Sequence, residues 1–212
     1  MAEISIKIGK KILDNIIEGM YTDSLFVYRE YIQNAADSID EAVDAGLLNN
    51  QREGEIFISL YEEKAIIKDN GTGILYNELI ENLGNIGDSK KDPQKSKGFR
   101  GIGRMGGIAY CDELLFITSA SGEPLRSTMT IDCKKIREDI NDPNIRDDAA
   151  DIFSRNIKVK KEDEKAEDRY FIVEMNSILD KELLDYKKIY KYLSEVCPLP
   201  YDAGFSFDKK IK

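Results

Sequence analysis

Hydrophobic residues recur with the period of an α-helix in the stretch that follows Asp23. The residues concerned are Tyr28, Ile32, Ala35 and Ile39. This spacing places them on one face of an amphipathic helix. Asp23 and Ser24 precede the helix and are its predicted N-caps. We expect the helix to run to about Ala45 and to end at Gly46, because glycine is favoured just after a helix.

Elsewhere hydrophobic and polar residues alternate with a period of two, which is typical of half-buried β-strands. The predicted strands are Ile4–Ile8, Ile56–Leu60, Ala65–Lys68, Leu114–Thr118, Ser127–Cys133 and Tyr170–Met175. The second and third are joined by the short polar segment Glu62-Glu63-Lys64, which predicts an antiparallel hairpin.

Three further segments have helical periodicity: Lys10–Met20, Tyr76–Leu83 and Lys181–Val196, the last capped by Asp180. Their predicted inward residues include Leu79, Ile80 and Leu83 in the second segment and Leu183, Leu184, Ile189, Tyr190 and Leu193 in the third. A short helix is expected around Ala149–Phe153, and the charged run Lys158–Asp168 is predicted to be a solvated hairpin end.

Strand hairpins with helices between them predict an α+β fold. We expect a two-layer sandwich, in which helices cover one face of a mixed, mostly antiparallel sheet. A chain of 212 residues is long enough for a substantial core, and we expect a single domain over residues 1–212.

Composition narrows the possible chemistry. The chain has no histidine, which excludes Ser-His-Asp and Cys-His sites and most zinc sites. Its net charge of −9 argues against direct binding of nucleic acid, and no apolar run is long enough for a membrane span. Three widely spaced cysteines fit a reducing cytoplasm, where we expect the protein to reside.

Polar residues of the first helix form a second stripe. Glu30, Asn34 and Asp37 are spaced i, i+4 and i+7, so all three point the same way. Taken alone, this stripe is the solvated face of an ordinary helix. A carboxylate one turn from an amide is also able to hold hydrated Mg²⁺ and activate a water molecule.

Glycines concentrate in two places. Gly71 and Gly73 follow Asp69 directly after a predicted buried strand, where the backbone bends sharply or lets a ligand approach, although a plain turn explains them equally well. Five glycines fall between Gly98 and Gly107, a density that is hard to explain as core or regular helix. With the neighbouring arginines they suit a loop that wraps phosphate. The preceding lysine-rich loop, residues 85–97, is either a lid or a plain solvated loop.

Three motifs now resemble one family. Glu30-x-x-x-Asn34-x-x-Asp37, Asp69-x-Gly71-x-Gly73 and Gly98-x-x-Gly101-x-Gly103 are similar, in order and spacing, to the N, G1 and G2 boxes of the GHKL ATPases. This superfamily includes gyrase, the ninety-kilodalton heat-shock chaperones, histidine kinases and MutL. Tyr21-Thr22-Asp23 and the segment from Leu79 to Ser89 resemble the chaperone branch, whereas Gly98-Phe99-Arg100-Gly101 resembles MutL.

The resemblance implies a Bergerat fold that binds ATP and Mg²⁺ and hydrolyses ATP slowly. Glu30 would be the general base and Asn34 the magnesium ligand, Asp69 would accept the adenine amino hydrogen, and Asp37 would support adenine. The other implied nucleotide-binding residues are Gly71, Gly73, Ile74, Asn82, Lys97, Gly98, Arg100, Gly101, Ile102, Gly103 and Arg104.

Two departures from the family accompany these matches. Arg104 stands where the chaperones carry an aromatic residue. Tyr170-Phe171 occupies the place of a Gly-Thr pair whose hydroxyl helps to hold adenine.

The resemblance leaves several functions open. The first is an ATPase module of a chaperone-like or gating protein that dimerises on ATP, as the N-terminal part of a longer chain. Others are an ATP sensor with negligible hydrolysis, the ATPase domain of a MutL- or topoisomerase-like DNA clamp, and a kinase that phosphorylates histidine. Glu30 favours an ATPase over a sensor or a kinase.

Overall fold

The computed structural model describes residues 10, 23–84 and 103–197. Its strands are β1 (Ile56–Leu60), β2 (Lys64–Asp69), β3 (Cys111–Ser119), β4 (Leu125–Asp132), β5 (Ile157–Asp163) and β6 (Tyr170–Ile178). Its α-helices are α1 (Phe26–Asp44), α2 (Leu79–Gly84), α3 (Cys133–Asn141), α4 (Ala149–Arg155) and α5 (Tyr186–Val196). Short 3₁₀ helices cover Gln51–Glu53, Tyr76–Glu78, Gly103–Ala109 and Lys181–Leu184.

The six strands form one sheet in the order β1-β2-β6-β3-β4-β5. Every strand pair in the described part is antiparallel. Strand β6 lies between the β1–β2 hairpin and the β3–β4 hairpin, so the last strand of the described residues joins the two halves of the sheet. The predicted α+β class and the β1–β2 hairpin are confirmed.

One face of the sheet forms the core against the helices. Two neighbouring cross-strand rows on this face are apolar: Ile58–Ile67–Val173–Phe116–Met129 and Leu60–Ala65–Met175–Leu114–Ile131. The next row contains polar side chains and reads Ile56–Asp69–Phe171–Thr118–Ser127. The apolar rows hold the sheet to the helices by burying hydrophobic surface, and the third row places polar side chains at one end of the same face.

Helix α1 packs on this core with the predicted apolar face, and Tyr28, Ile32, Ala35 and Ile39 are all buried. Its N-terminus differs from the prediction, because the N-cap residue is Leu25 and no side chain caps it. Asp23 instead accepts a hydrogen bond from the backbone N–H of Leu25 at 3.0 Å, in an Asx turn just before the helix. The predicted C-terminal end is confirmed, since the helix ends at Asp44 and Gly46 follows with a φ of 71°.

Two charged segments form more regular structure than their sequence predicted. The run predicted to be a solvated hairpin end contains β5, an edge strand that pairs with β4. Its charges pair with neighbours, as in the 2.6 Å ion pair between Arg126 and Glu162. Helix α3, which the sequence did not define, begins at an aspartate cap, Asp132, whose side chain accepts from the N–H of Lys135.

The last predicted helix is two helices. Asp180 caps the 3₁₀ turn Lys181–Leu184, and Asp185 caps α5. Two residues predicted to face inward are exposed, Ile80 by 55% and Tyr190 by 42%. In both segments other residues, such as Leu79 and Leu193, occupy the buried face of the helix. Ile80 and Tyr190 therefore lie on its exposed face.

Three predicted segments lie outside the described residues: the strand Ile4–Ile8, the helix Lys10–Met20 beyond Lys10 itself, and the loop at residues 85–97. Across the described ranges, each helix is too short or too polar to cross a lipid bilayer.

Candidate functional site

A cavity of about 820 Å³ opens between α1, the polar end of the sheet and α2. This volume lies within the range of roughly 300–1,000 Å³ that is typical of small-molecule sites. Seven of the residues predicted from the sequence line it: Asn34, Asp37, Asp69, Gly73, Ile74, Asn82 and Arg104. They come from four separate segments, so the fold brings together residues that lie up to 70 positions apart in the chain.

Asp69 is the buried carboxylate of the cavity. It is the last residue of β2, and only 3% of it is exposed to solvent. Its Oδ1 accepts the backbone N–H of Gly71 at 2.9 Å. Burial raises the pKa of Asp69 to about 7, against the opposing effects of the Gly71 hydrogen bond and the charge of Arg169. A carboxylate in this position readily accepts a hydrogen bond from a ligand.

The two glycines after Asp69 are required by close contacts. A Cβ on Gly71 would lie 2.2 Å from the Oγ of Ser38, so α1 and this loop approach more closely than any side chain allows. Gly73 has a φ of 67°, and a Cβ there would lie 2.0 Å from the carbonyl oxygen of Ser119. The hydroxyl of Ser38 also accepts the N–H of Thr72 at 3.0 Å. Gly71 therefore lies beneath the cavity wall, and Gly73 is part of that wall.

Thr118 fixes the far end of the same loop. This residue of β3 is fully buried, and its hydroxyl accepts the N–H of Ile74 at 2.8 Å while donating to the carbonyl of Tyr170 at 3.0 Å. Beside it, Phe171 lines the cavity directly opposite Asp69 in the β2–β6 register, and its ring stacks on Phe116 with centroids 5.8 Å apart. The floor of the cavity is thus aromatic beside the Asp69 carboxylate.

Helix α1 contributes the opposite wall. Asn34 and Asp37 line the cavity, and the Nε2 of Gln33 donates to Asp37 at 3.2 Å. Glu30 is not among the described residues that line it. The Glu30 carboxylate lies 3.7 Å from the guanidinium of Arg29. The three-residue stripe predicted from spacing is therefore divided between the cavity and its surroundings.

The segment after the predicted phosphate loop is a 3₁₀ helix, Gly103–Ala109, and contributes Arg104 to the cavity. Burial lowers the pKa of Arg104 below that of free arginine. Gly106 and Gly107 are buried in this helix. The sequence had predicted that these glycines belong to a loop and not to the core. The N–H of Gly107 donates to the hydroxyl of Tyr31 at 3.0 Å, and a Cβ there would lie 2.6 Å from that oxygen.

Arg137 of α3 holds the other end of this 3₁₀ helix. Its guanidinium donates to the carbonyls of Ile108 and Cys111 at 2.6 and 2.7 Å and to the Asp112 carboxylate at 2.6 Å. Arg104 is consequently carried by a segment that is anchored to both α1 and α3.

Five predicted site residues lie outside the described residues: Lys97, Gly98, Arg100, Gly101 and Ile102. Gly103 is described as the first residue of the 3₁₀ helix. Sequence reasoning missed Ser38, Thr72, Thr118 and Arg169, since single polar residues at strand ends and turns are too common to stand out. A weak clue was available for Thr118, a polar residue at the end of an otherwise apolar strand.

The residues present suit a nucleotide and a phosphate-bound metal. The cavity combines the buried acceptor Asp69 with the aromatic ring of Phe171, which suits a flat ring that carries an amino group. In residues 23–84 and 103–197, no group of three or more cysteine or acidic side chains is placed to hold a metal ion. A magnesium ion that uses the Asn34 amide would therefore need phosphate oxygens and waters as its remaining ligands.

Fold and cavity together define an α+β domain of the GHKL ATP-binding class. The chain belongs to the histidine kinase-, DNA gyrase B- and HSP90-like ATPase family, which matches it over residues 22–173.

Several curated chaperones are similar to part of the chain. Chaperone protein HtpG of Clostridium perfringens is 34% identical over 131 residues, covering 54% of this chain and 21% of that protein. HtpG of Chlorobium phaeovibrioides is 38% identical over 87 residues, or 38% of this chain and 14% of that protein. HtpG of Orientia tsutsugamushi is 31% identical over 133 residues, or 53% and 21%. The chain spans about a fifth or less of the length of these relatives.

Proposed function

We propose that this chain binds ATP with Mg²⁺ in the cavity and hydrolyses it slowly, as the nucleotide module of a chaperone-like protein. One observation carries the proposal. Asn34 and Asp37 of α1, Asp69 and the Thr72–Ile74 loop, Asn82 of α2 and Arg104 meet around one cavity of nucleotide size.

The adenine end lies at Asp69 in this proposal. Its carboxylate accepts a hydrogen from the exocyclic amino group, while Gly73 and Ile74 let the base lie against backbone. The aromatic floor formed by Phe116 and Phe171 excludes water from one side, which strengthens a single polar contact in its surroundings. Asp37 supports the base from α1.

The phosphate end lies toward Arg104, the cationic residue among the described cavity-lining residues. Asn34 holds Mg²⁺ through its amide oxygen, and Asn82 lies on the α2 side of the same cavity. The metal supplies charge neutralisation to the phosphates when it is bound. Gly98, Gly101 and Gly103 present backbone N–H groups to phosphate, with Lys97, Arg100 and Ile102 in the same segment; these roles rest on the family resemblance.

Glu30 is the general base of the proposed hydrolysis. The chain has no histidine, and Glu30 begins the carboxylate-bearing stripe that reaches the cavity at Asn34. Its side chain is 22% exposed, so it is accessible to a water molecule. It accepts the proton of the attacking water and orients that water toward the terminal phosphate.

The relatives supply the biological setting of the proposal. The relatives named above as chaperones match part of the chain, and we infer that residues 1–212 form one nucleotide domain of a conformational ATPase that dimerises when ATP binds. Hydrolysis by this chain alone is expected to be weak.

Calorimetric titration of ATP tests the binding proposal. Wild type is expected to bind ATP, and Asp69→Asn to lose about 100-fold in affinity, because an amide nitrogen faces the base amino group in place of an acceptor. Asp163→Asn, an exposed aspartate at the end of β5, is the matched control and should bind as wild type does. Absence of binding by folded wild-type protein would reject the nucleotide site.

Removal of magnesium with EDTA should weaken ATP affinity, and Asn34→Ala should abolish this dependence on the metal.

Phosphate release tests the role of Glu30 as general base. Glu30→Gln should keep ATP affinity and lose at least about 100-fold in turnover, whereas Glu62→Gln, at an exposed position of the β1–β2 turn, should not change it.

A second candidate function is an ATP sensor with negligible hydrolysis. The observation that favours it is the position of Glu30, beside Arg29 and off the described cavity lining. ATP binding by wild type with equally low phosphate release from wild type and Glu30→Gln would support the sensor over the ATPase.

A further inference from the structure

Arg169 connects two parts of the cavity wall through backbone carbonyls. One terminal nitrogen of its guanidinium donates to the carbonyls of Asn70 and Gly71, the latter at 2.8 Å. The other donates to the carbonyl of Leu47 at 3.1 Å. Leu47 lines the cavity just after α1, and Asn70 and Gly71 directly follow Asp69.

The guanidinium suits this task for geometric reasons. Its donors are fixed in a plane and point in several directions, so one side chain is able to bridge three acceptors. An ammonium group has its three donors on one atom at the end of a flexible chain, and it reaches separated carbonyls less well. Arg169 therefore ties the Asp69 loop to the segment that follows α1.

Other contacts keep this loop folded without Arg169. The side chain of Asn70 accepts the N–H of Glu55 at 2.7 Å and donates to the carbonyl of Glu53 at 2.9 Å. Thr72 is bonded to Ser38 on α1. Loss of Arg169 thus leaves a loop that is still attached on two sides and free to shift on the third.

We propose that Arg169 is a positioning residue for base recognition, which holds the Asp69 carboxylate at the place where it selects a base with an amino group over one with a carbonyl. This inference rests on the proposed ATP function of the cavity. Arg169 also acts on Asp69 through its charge, which partly offsets the effect of burial on that carboxyl group.

The test compares affinities for ATP and ITP, whose bases carry an amino group and a carbonyl at the same ring position. Both are titrated calorimetrically into wild type, Arg169→Gln, Arg169→Lys and Arg126→Gln. Arg126 lies on β4, where it pairs with Glu162, and is the matched arginine control. Thermal unfolding of each variant sets a temperature at which all are folded.

Wild type is expected to prefer ATP. Both Arg169 variants should lose about tenfold in ATP affinity with little change for ITP, so that selectivity falls by about tenfold. Arg126→Gln should keep the wild-type ratio. If Arg169→Gln does not fold, Arg169→Lys carries the test, since it keeps the positive charge and loses the bridging geometry.

Three results would overturn the inference. Equal losses for ATP and ITP would show that Arg169 supports the cavity without positioning the selective group. Full selectivity in Arg169→Lys would show that charge alone suffices. Wild-type affinities for both nucleotides in Arg169→Gln would remove the role altogether, while ATP binding by wild type would leave the proposed function standing. Failure of folded wild type to bind either nucleotide would instead reject the proposed function itself.

Discussion

Two buried aspartates in different regions of the molecule have pKa values shifted in opposite directions. Asp69 and Asp139 are exposed by only 3% and 2%, respectively. Asp69 lines the cavity and has a pKa raised to about 7 by burial. For Asp139 of α3, burial also raises the pKa, but hydrogen bonds from neighbouring side chains outweigh it, and the pKa lies below the ordinary value of aspartate.

The surroundings explain the contrast. Asp139 is contacted by Lys135 at 3.0 Å, by Arg155 at 2.9 Å and by Asn156 at 3.1 Å, so its acceptor capacity is used within the protein. Asp69 accepts a hydrogen bond from the backbone N–H of Gly71, and it also lines the cavity. The difference teaches that burial alone does not mark a functional carboxylate: a structural one has its partners inside the fold, whereas a binding one keeps capacity for a ligand.

Asp139→Ala should have the largest effect on stability. It removes the buried acceptor that Lys135, Arg155 and Asn156 share, and we expect a loss of about 3 kcal/mol in the free energy of unfolding. Arg155 keeps its ion pair with Asp147, and Asn156 keeps its hydrogen bond to the carbonyl of Ile152. ATP affinity of the folded fraction should not change, because Asp139 lies on α3 and does not line the cavity. Urea denaturation with and without ATP measures both quantities. Glu138→Ala, an exposed neighbour, is the control, and a similar loss there would contradict the special role of Asp139.

The raised pKa of Asp69 should make the stability of the protein depend on pH. Its folded pKa of about 7 exceeds the value of about 4 in the unfolded chain. The folded state therefore holds a proton that the unfolded state has released, and this contribution to stability is lost as pH rises through 7. Between pH 5 and 7 the ligand-free protein should lose about 2 kcal/mol relative to Asp69→Asn. Parallel pH profiles of the two proteins would be inconsistent with a raised pKa.

Nucleotide affinity should change with pH in the opposite sense. An ionised Asp69 is the better acceptor for an amino group, so binding should be about tenfold tighter at pH 8 than at pH 6. Titrations in two buffers that differ in ionisation enthalpy report the proton released on binding. Asp69→Asn serves as the reference for ionisation of the nucleotide itself, and an identical pH response in this variant would refute the assignment to Asp69.

Thr118→Val should have the smallest effect of the series. The substitution leaves the N–H of Ile74 and the carbonyl of Tyr170 without their hydroxyl partner, at a cost of about 1 kcal/mol in stability. ATP affinity should fall a few-fold, since Ile74 lines the cavity. Thr128→Val, a neighbouring position in the β3–β4 pair, should change neither property by a comparable amount, as measured by thermal unfolding and calorimetry.

Periodicity predicted the main elements well. Helix α1 and the β1–β2 hairpin follow from regular spacing of apolar residues, since a helix or strand with one buried face requires that spacing. Periodicity failed at β5, because only Ile157 and Val159 alternate with charged residues at its start, and the rest of this edge strand is stabilised by pairing with β4. It failed again at Ile80 and Tyr190, whose apolar character does not show whether another residue already fills the core.

The candidate site divides in the same way. Local sequence determined which groups are available: a carboxylate, an amide and a second carboxylate on one helix, and glycines directly after the strand that ends in Asp69. The spacing of these residues within one helix or one turn is a local property, so the sequence alone predicts which groups lie together. Tertiary structure decided which groups face the cavity, raised the pKa of Asp69 through burial, and placed Thr118 and Arg169 against its loop. Burial and contacts between distant segments arise only when the chain is packed, and for this reason no local pattern contained them.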